Sequence, residues 1–362
     1  MNEMLLSRKE LIIRVRDEYP AKHDLYLLFG ECLVQVLANH PDIVESLVNY
    51  CQPFVVKGGR PDIVISVHET PETDFGLHLI MKEPDPGKSK VKEEYVDFLD
   101  GRAVRKRLTG MVFFFGGGQH LAMGPCLANM NQVVNFINNR YIEWMLCRGC
   151  LLGHAAGVER HGKGLALAGF SGTGKSTLSL HIMSRGTRFV SNDRLIIQQT
   201  ERGLRMNGVA KQPRINPGTV LNNPDLSSVI SEEERATFKE ISEDLLWHVE
   251  QKYDVPIDEC FGRDKFVLGA FMEDLVILNW RREPTPLVVR RVDPFERKDL
   301  LPAFIKTPGL FIHTGNDCTL AETSEDNYAE WLSQCRVWEF SGGVDFEAAT
   351  RACLNILDGD LA

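Results

Sequence analysis

The chain has 362 residues, 43% of them hydrophobic, enough to bury one large core or two moderate ones. Its 41 basic and 50 acidic residues leave a net charge of −9, which removes the electrostatic footprint of a general nucleic-acid binder. No apolar run nears the ~18 residues of a membrane span, and nine cysteines without a signal peptide predict unpaired thiols in a cytoplasmic, reducing setting.

Residues 1–50 read as helices, with Leu25, Leu28, Phe29, Cys32, Leu33, Val36 and Leu37 spaced to make one apolar face, and a further helix opening at Pro41-Asp42. Residues 62–67 and 77–81 read as strands around a turn at 68–73, and 83–87 breaks the pattern. The basic stretches 88–92 and 102–107 adjoin acidic residues and read as solvated faces. Asp100-Gly101 suggests a hairpin tip, and 112–115 a strand ending in Gly116-Gly117-Gly118. That triple glycine has no Lys-Ser/Thr behind it, so it reads as a hairpin connection. Residues 129–146 read as a long helix that closes on Cys147-Arg148-Gly149-Cys150, where no second Cys pair or His pair completes a zinc set; buried structural thiols are expected. A domain boundary is placed near 145, separating an N-terminal α+β part, 1–145, from a nucleotide part, 146–362.

The richest stretch follows. The apolar run 164–168 leads into Gly169-Phe170-Ser171-Gly172-Thr173-Gly174-Lys175-Ser176-Thr177, and 177–183 continues at helical spacing. Strand, G-x-x-x-x-G-K-[ST] loop and helix in that order predict a phosphate cradle: backbone N–H groups turn inward at a helix N-terminus. Gly169, Ser171, Gly172, Thr173, Gly174, Lys175, Ser176 and Thr177 are its candidate nucleotide-binding residues. Lys175 would reach the β- and γ-phosphates, and Ser176 would hold Mg²⁺. Asp193, eighteen residues after Lys175 at the end of a short strand, is the candidate second metal ligand; a turn or helix cap is its equal alternative. His154 and Glu159 fall on a strand that a tight turn at 160–163 folds beside the loop strand. His154 could then face the phosphates as an acid/base or binding group, or be a satisfied core or edge residue of the strand. Lys211 and Arg214, in a proline-punctuated loop, and less so Arg281 and Arg282, are candidates for the charge of a transferring phosphate or ordinary solvated cations. Further strands are expected at 266–270 and 275–280. Residues 337–357 read as strand, glycine turn at Ser341-Gly342-Gly343, and helix. The N-K-x-D element of guanine-specific GTPases is absent, as is an apolar strand ending in Asp-Glu at a suitable distance.

His154, fifteen residues before Gly169, the loop at 169–176, and Asn192-Asp193 together resemble the HPr kinase/phosphorylase family, most closely the HPr-kinase-related kinases B, and more distantly phosphoenolpyruvate carboxykinase. The resemblance covers residues 150–200 well, the rest of the C-terminal part loosely, and leaves 1–145 outside. It implies a P-loop kinase domain of the HPr kinase / phosphoenolpyruvate carboxykinase type preceded by an α+β recognition domain. It also implies ATP and Mg²⁺ as cofactors, with His154, Lys175, Asn192 and Asp193 as catalytic residues. The family has an aspartate acid/base where this chain has Asn192, an amide that takes no proton but can orient a hydroxyl or phosphate oxygen. Forward transfer survives such a change, because phosphoryl transfer depends on positioning and charge; reverse phosphorolysis is not expected. The expected function is ATP-dependent phosphorylation of a hydroxyl on a protein serine or a small metabolite, with neither nucleic acid nor membrane as partner and a homo-oligomer left open. The alternative is a nucleotide-binding regulatory ATPase without an acceptor.

Overall fold

The computed structural model describes residues 7–84, 90–246, 249, 251–313 and 318–361, and shows a mixed α/β chain with two large sheets. The chain separates into two compact units, Met1–Arg148 with Pro308–Leu320, and Gly149–Thr307 with Ala321–Ala362. The return of 308–320 to the first unit is not contained in the sequence reading, which ends the N-terminal part at 145. The predicted N-terminus, break and basic stretch lie outside the described residues where they fall on 1–6 and 85–89.

In the first unit α1 (Arg8–Glu18) opens on a capping box, Ser7 and Glu10 each accepting from the other's backbone N–H. The predicted helix over 25–37 is instead a hairpin of β1 (His23–Phe29) and β2 (Cys32–Ala38). Leu25, Leu27 and Phe29, then Cys32, Val34 and Val36, are buried while Leu28 is 40% exposed, so the true period is two. The two-residue turn at Gly30-Glu31 shifts the alternation and mimics helical spacing. After α2 (Pro41–Tyr50) and the short β3 (Val55–Val56) comes β4 (Ile63–Glu69), parallel to β2. The strand expected at 77–81 shrinks to β5 (Ile80–Met81). A meander of β6 (Glu93–Phe98), β7 (Gly101–Lys106), β8 (Val112–Phe115) and β9 (His120–Gly124) completes a sheet ordered β3-β1-β2-β4-β9-β8-β7-β6-β5. Phe98 pairs with Gly101, so the hairpin tip is Leu99-Asp100. Arg102 and Arg105 pair across strands with Asp97 and Glu94.

After α3 (Met130–Leu146), Cys147 is disulfide-bonded to Cys318, which corrects the expectation of unpaired thiols throughout; Cys150 stays buried and outside the bridge. The bridge helps hold 308–320, whose Phe311 stacks on Phe115 at 5.7 Å and meets Phe113 edge-on at 5.4 Å. Arg102 and Arg140 donate to the carbonyls of Leu310 and Phe311.

The second unit begins with β10 (Leu151–Gly153), β11 (Ala155–Arg160), β12 (Lys163–Gly169) and α4 (Lys175–Met183). It continues with β13 (Arg188–Ser191), β14 (Leu195–Thr200), β15 (Gly203–Asn207) and β16 (Arg214–Ile215). Four short helices follow, α5 (Pro217–Leu221), α6 (Glu232–Lys239), α7 (Glu243–Leu246) and α8 (Ile257–Phe261), with β17 (Tyr253–Asp254) pairing β16 ahead of the last. The two strands expected at 266–280 are one long strand, β18 (Gly269–Leu278), followed by β19 (Leu287–Val292), α9 (Glu325–Leu332), β20 (Arg336–Gly342) and α10 (Phe346–Asp358). The sheet runs β10-β14-β15-β18-β12-β11-β13, with β20 joining β18 and carrying β19. Strand β12 lies between β18, parallel, and β11, antiparallel; its segment 164–169 is wholly buried, as expected of a central strand feeding a helix. Among the described residues no helix is long and apolar enough to cross a membrane.

Candidate active site

Strand β12 delivers the chain to Gly169, residues 170–174 form a loop, and α4 starts at Lys175. Gly174 takes the helix N-cap at φ +94°, a left-handed conformation that favours glycine, and an added Cβ there would stand 2.7 Å from the Phe346 ring. No side chain caps this end of α4. Its first-turn N–H groups therefore lack a side-chain partner at the end of a helix whose dipole favours negative charge. The loop is fixed from behind: Trp280 Nε1–H donates to the Thr173 carbonyl at 2.8 Å, and Trp280 packs edge-on against Phe346 at 5.4 Å. The Thr173 hydroxyl donates to the Phe170 carbonyl at 2.8 Å, and that of Thr177 bonds to Thr219 at 2.8 Å, so both brace the backbone. Lys175 Nζ turns onto the carbonyls of Gly169, at 2.6 Å, and Phe170, at 3.3 Å. Burial lowers its pKa to about 8, against the attraction of Asp193 and with repulsion from Lys306.

Asn192 and Asp193 sit in the bend between β13 and β14, closed by a hydrogen bond from the Ser191 hydroxyl to the Arg194 carbonyl at 2.5 Å. Because β14 pairs with β10, setting Leu195 opposite Gly153, this bend meets His154 directly. His154 Nε2 lies 3.0 Å from Asp193 Oδ1. A third segment approaches Gly153 closely, where a Cβ would stand 2.7 Å from Phe304 Cζ. There the His154 N–H donates to the Phe304 carbonyl at 2.6 Å and the Lys306 N–H to the Leu152 carbonyl at 3.1 Å. That pairing brings Lys306 Nζ to 3.5 Å from Asp193 Oδ2. Burial by itself would raise the Asp193 pKa. The His154 hydrogen bond and the charge of Lys306 outweigh it and hold the carboxyl well below the usual carboxylate range, so it is ionised at neutral pH. The Oδ1 atom of Asn192 is sealed from solvent and has no partner among the described residues.

A cleft of about 430 Å³ joins these groups, lined by His154, Ser171, Gly172, Gly174, Lys175, Ser176, Thr177, Asn192 and Asp193. Arg194, Lys211, Arg214, Lys252 and Arg282 also line it, leaving Asp193 the sole carboxylate among the described lining residues. Asp274, on the strand beside β12, is buried and committed to Arg336, at 2.8 and 2.7 Å, and to Trp338 Nε1 at 2.8 Å. Among the described residues no group of three or more His, Cys, Asp or Glu is arranged for a metal ion. A cationic cleft with an uncapped helix end, the Ser176 hydroxyl and one ionised carboxylate fits a polyphosphate with a hard cation that keeps most of its ligands from water and phosphate.

Of the sequence candidates, the structure gathers His154, Lys175, Ser176, Asn192 and Asp193 in one cleft, with Lys211, Arg214 and Arg282. Gly169 and Thr173 stand outside the lining. Glu159 lies away from it, buried in an ion pair with Arg188 and accepting from Gly162 N–H at 2.5 Å. Arg281 joins a backbone bridge to Gly343. Lys306, Lys252 and the loop-bracing hydrogen bond of Trp280 had no signal in the sequence: each arrives through tertiary pairing.

No family model matches the chain. An HPr kinase/phosphorylase of Clostridium acetobutylicum is 30% identical over 160 residues, 41% of this chain and 44% of that protein, so the match spans less than half of the relative's length. A structure of the Hpr(Ser) kinase/phosphatase from Coxiella burnetii aligns with 58% of this chain and 93% of its own at 15% identity, with a TM-score of 0.29.

Proposed function

We propose, from the distant HPr kinase-like relationship of this chain, that its second unit is a P-loop phosphotransferase passing the γ-phosphoryl group of ATP to a hydroxyl, with the first unit a recognition domain. The observation that carries the reading is the uncapped N-terminus of α4 sharing one cleft with His154 and Asp193, the latter also paired with Lys306. The loop N–H groups and Lys175 bind the phosphates, and Ser176 and Asp193 are the residues that hold Mg²⁺ when it is bound. That ion supplies charge neutralisation at the transferring group. Lys211, in the same lining, neutralises further charge at the transferring group. His154, held by the Asp193 carboxylate through Nε2, is the base for the acceptor hydroxyl through Nδ1 in this reading. Asn192 orients only through its side-chain N–H groups and takes no proton, so phosphorolysis is not part of the activity.

A second reading, a nucleotide-binding ATPase without acceptor, draws support from Asn192, whose side-chain oxygen is sealed away from any acceptor. ADP release from Mg²⁺-ATP, alone and with cell extract, separates the two. Extract-dependent turnover abolished by Lys175→Ala supports the phosphotransferase. Turnover indifferent to extract supports the ATPase, and loss of neither ATP binding nor turnover in Lys175→Ala removes both.

A further inference from the structure

We propose that the acceptor is a small hydroxylated organic anion, a phosphate ester or a carboxylate, held by Arg214 and Lys252 with Lys211 between it and the transferring phosphoryl group. The inference rests on the phosphotransferase reading and names its second substrate. The loop side of the cleft already meets the needs of a triphosphate, through Lys175 and the N–H groups of α4. Another part of the lining, carried by the segment before β16 and by the β16–β17 pair, adds three more cations. Two of their ammonium groups, those of Lys211 and Lys252, have no hydrogen-bond or ion-pair partner among the described residues. Arg214 has a carboxylate, Asp254 at 3.3 Å, which with Asp193 also attracts Lys211, and it donates to the Lys252 carbonyl at 3.3 Å. Two carboxylates against these three cations, with Arg194 beside them, leave a surplus of positive charge beyond what the loop side supplies to the triphosphate.

Lys211 is only partly exposed, and the neighbouring Arg194 and Arg214 repel its charge. A cation in such surroundings is relieved either by losing its proton or by a bound anion. The acceptor's size follows from where these groups sit. They line the cleft with Val209, Ile215 and Leu246, Lys211 half-buried and Arg214 and Lys252 exposed, whereas an extended peptide is gripped through its backbone and alternating side-chain pockets. Clustered cations inside a cleft suit a compact, multiply charged anion.

The test uses the full chain saturated with β,γ-imido-ATP and Mg²⁺, so that the γ-phosphate position is filled, and calorimetric titration with four probes. These are 3-phosphoglycerate, glycerol 3-phosphate, glycerol, and a serine peptide rich in acidic residues. The expected result is one-to-one binding of at least one phosphate probe, none of glycerol, and a tenfold or greater loss in Arg214→Gln and in Lys252→Gln. An analogue-loaded protein that binds neither phosphate probe overturns the inference while leaving the phosphotransferase reading standing. So does a peptide that binds tighter than both, or phosphate binding indifferent to the two substitutions. Failure of the analogue itself to bind overturns both.

Discussion

Binding of a triphosphate should draw a proton onto Lys211. Burial and the charges of Arg194 and Arg214 push its pKa from 10.5 to about 8, against the attraction of Asp193 and Asp254. At pH 9 roughly one molecule in ten then carries the charge, and at pH 7 roughly nine in ten. An anion selects the charged form and raises the pKa in the complex, so protons are taken up on binding and affinity falls as pH rises through 8. From this lysine alone the affinity should drop about tenfold between pH 7 and pH 9, with uptake of about half a proton at pH 8. Lys175, also near 8, adds a contribution of the same sign, and the ligand's own phosphates titrate too. Both are common to wild type and Lys211→Arg, a variant that keeps the charge but does not titrate in this range. Calorimetry with β,γ-imido-ATP and Mg²⁺, in buffers of different ionisation enthalpy at pH 7, 8 and 9, measures the difference directly. Equal proton uptake and equal pH dependence in the two proteins would refute the placement of Lys211 against the bound anion.

Three other outcomes are expected. Asp193→Asn should remove at least tenfold of the gain in nucleotide affinity that Mg²⁺ confers, without weakening metal-free binding, because it deletes a negative charge from a polyphosphate site; titrations with and without Mg²⁺ decide, and equal loss in both makes Asp193 a structural cap. Trp280→Phe keeps the ring contact with Phe346 but leaves the Thr173 carbonyl without its donor, at a cost of about 1–2 kcal/mol in urea unfolding and with weaker nucleotide binding. An unchanged midpoint and affinity would show that the hydrogen bond does not brace the loop. Reduction of the Cys147–Cys318 bridge should lower the stability of the wild type by about 2–4 kcal/mol and leave Cys147→Ser indifferent to reductant. A wild-type midpoint that reductant does not move counts against the bridge.

What could be read from the sequence was what is contiguous. The loop declares itself because strand, glycines, lysine and helix follow one another within twenty residues, and His154 and Asn192-Asp193 lie one hairpin or one helix away. Lys306 could not be read: it reaches Asp193 only because the backbone at 304–306 pairs with that of 152–154, an arrangement no local pattern encodes. Trp280 was legible as the end of a strand, but its hydrogen bond to a carbonyl is invisible in composition. The error at 25–37 has a different cause. Two alternating strands separated by a two-residue turn place Leu25, Leu28, Phe29, Cys32, Leu33, Val36 and Leu37 at spacings that a helix also produces, and only cross-strand pairing chooses between them. The cysteines misled because composition suggests a compartment but cannot show that residues 147 and 318 meet.

The return of 308–320 to the first unit has a consequence for the order of events during synthesis. Phe113, Phe115 and Phe136 are covered in part by Phe311, at 5.4, 5.7 and 6.4 Å. When Arg148 leaves the ribosome, that ring does not yet exist. It arrives only after another 163 residues (311 − 148), which at ~5–20 residues per second takes roughly 8–33 s. Throughout that interval the nascent first unit presents an uncovered aromatic patch, while the second unit is being made. A messenger that stalls before residue 311, or a fragment expressed to Arg148, makes the exposure permanent. Translation speed across the second unit is therefore a determinant of the yield of the first.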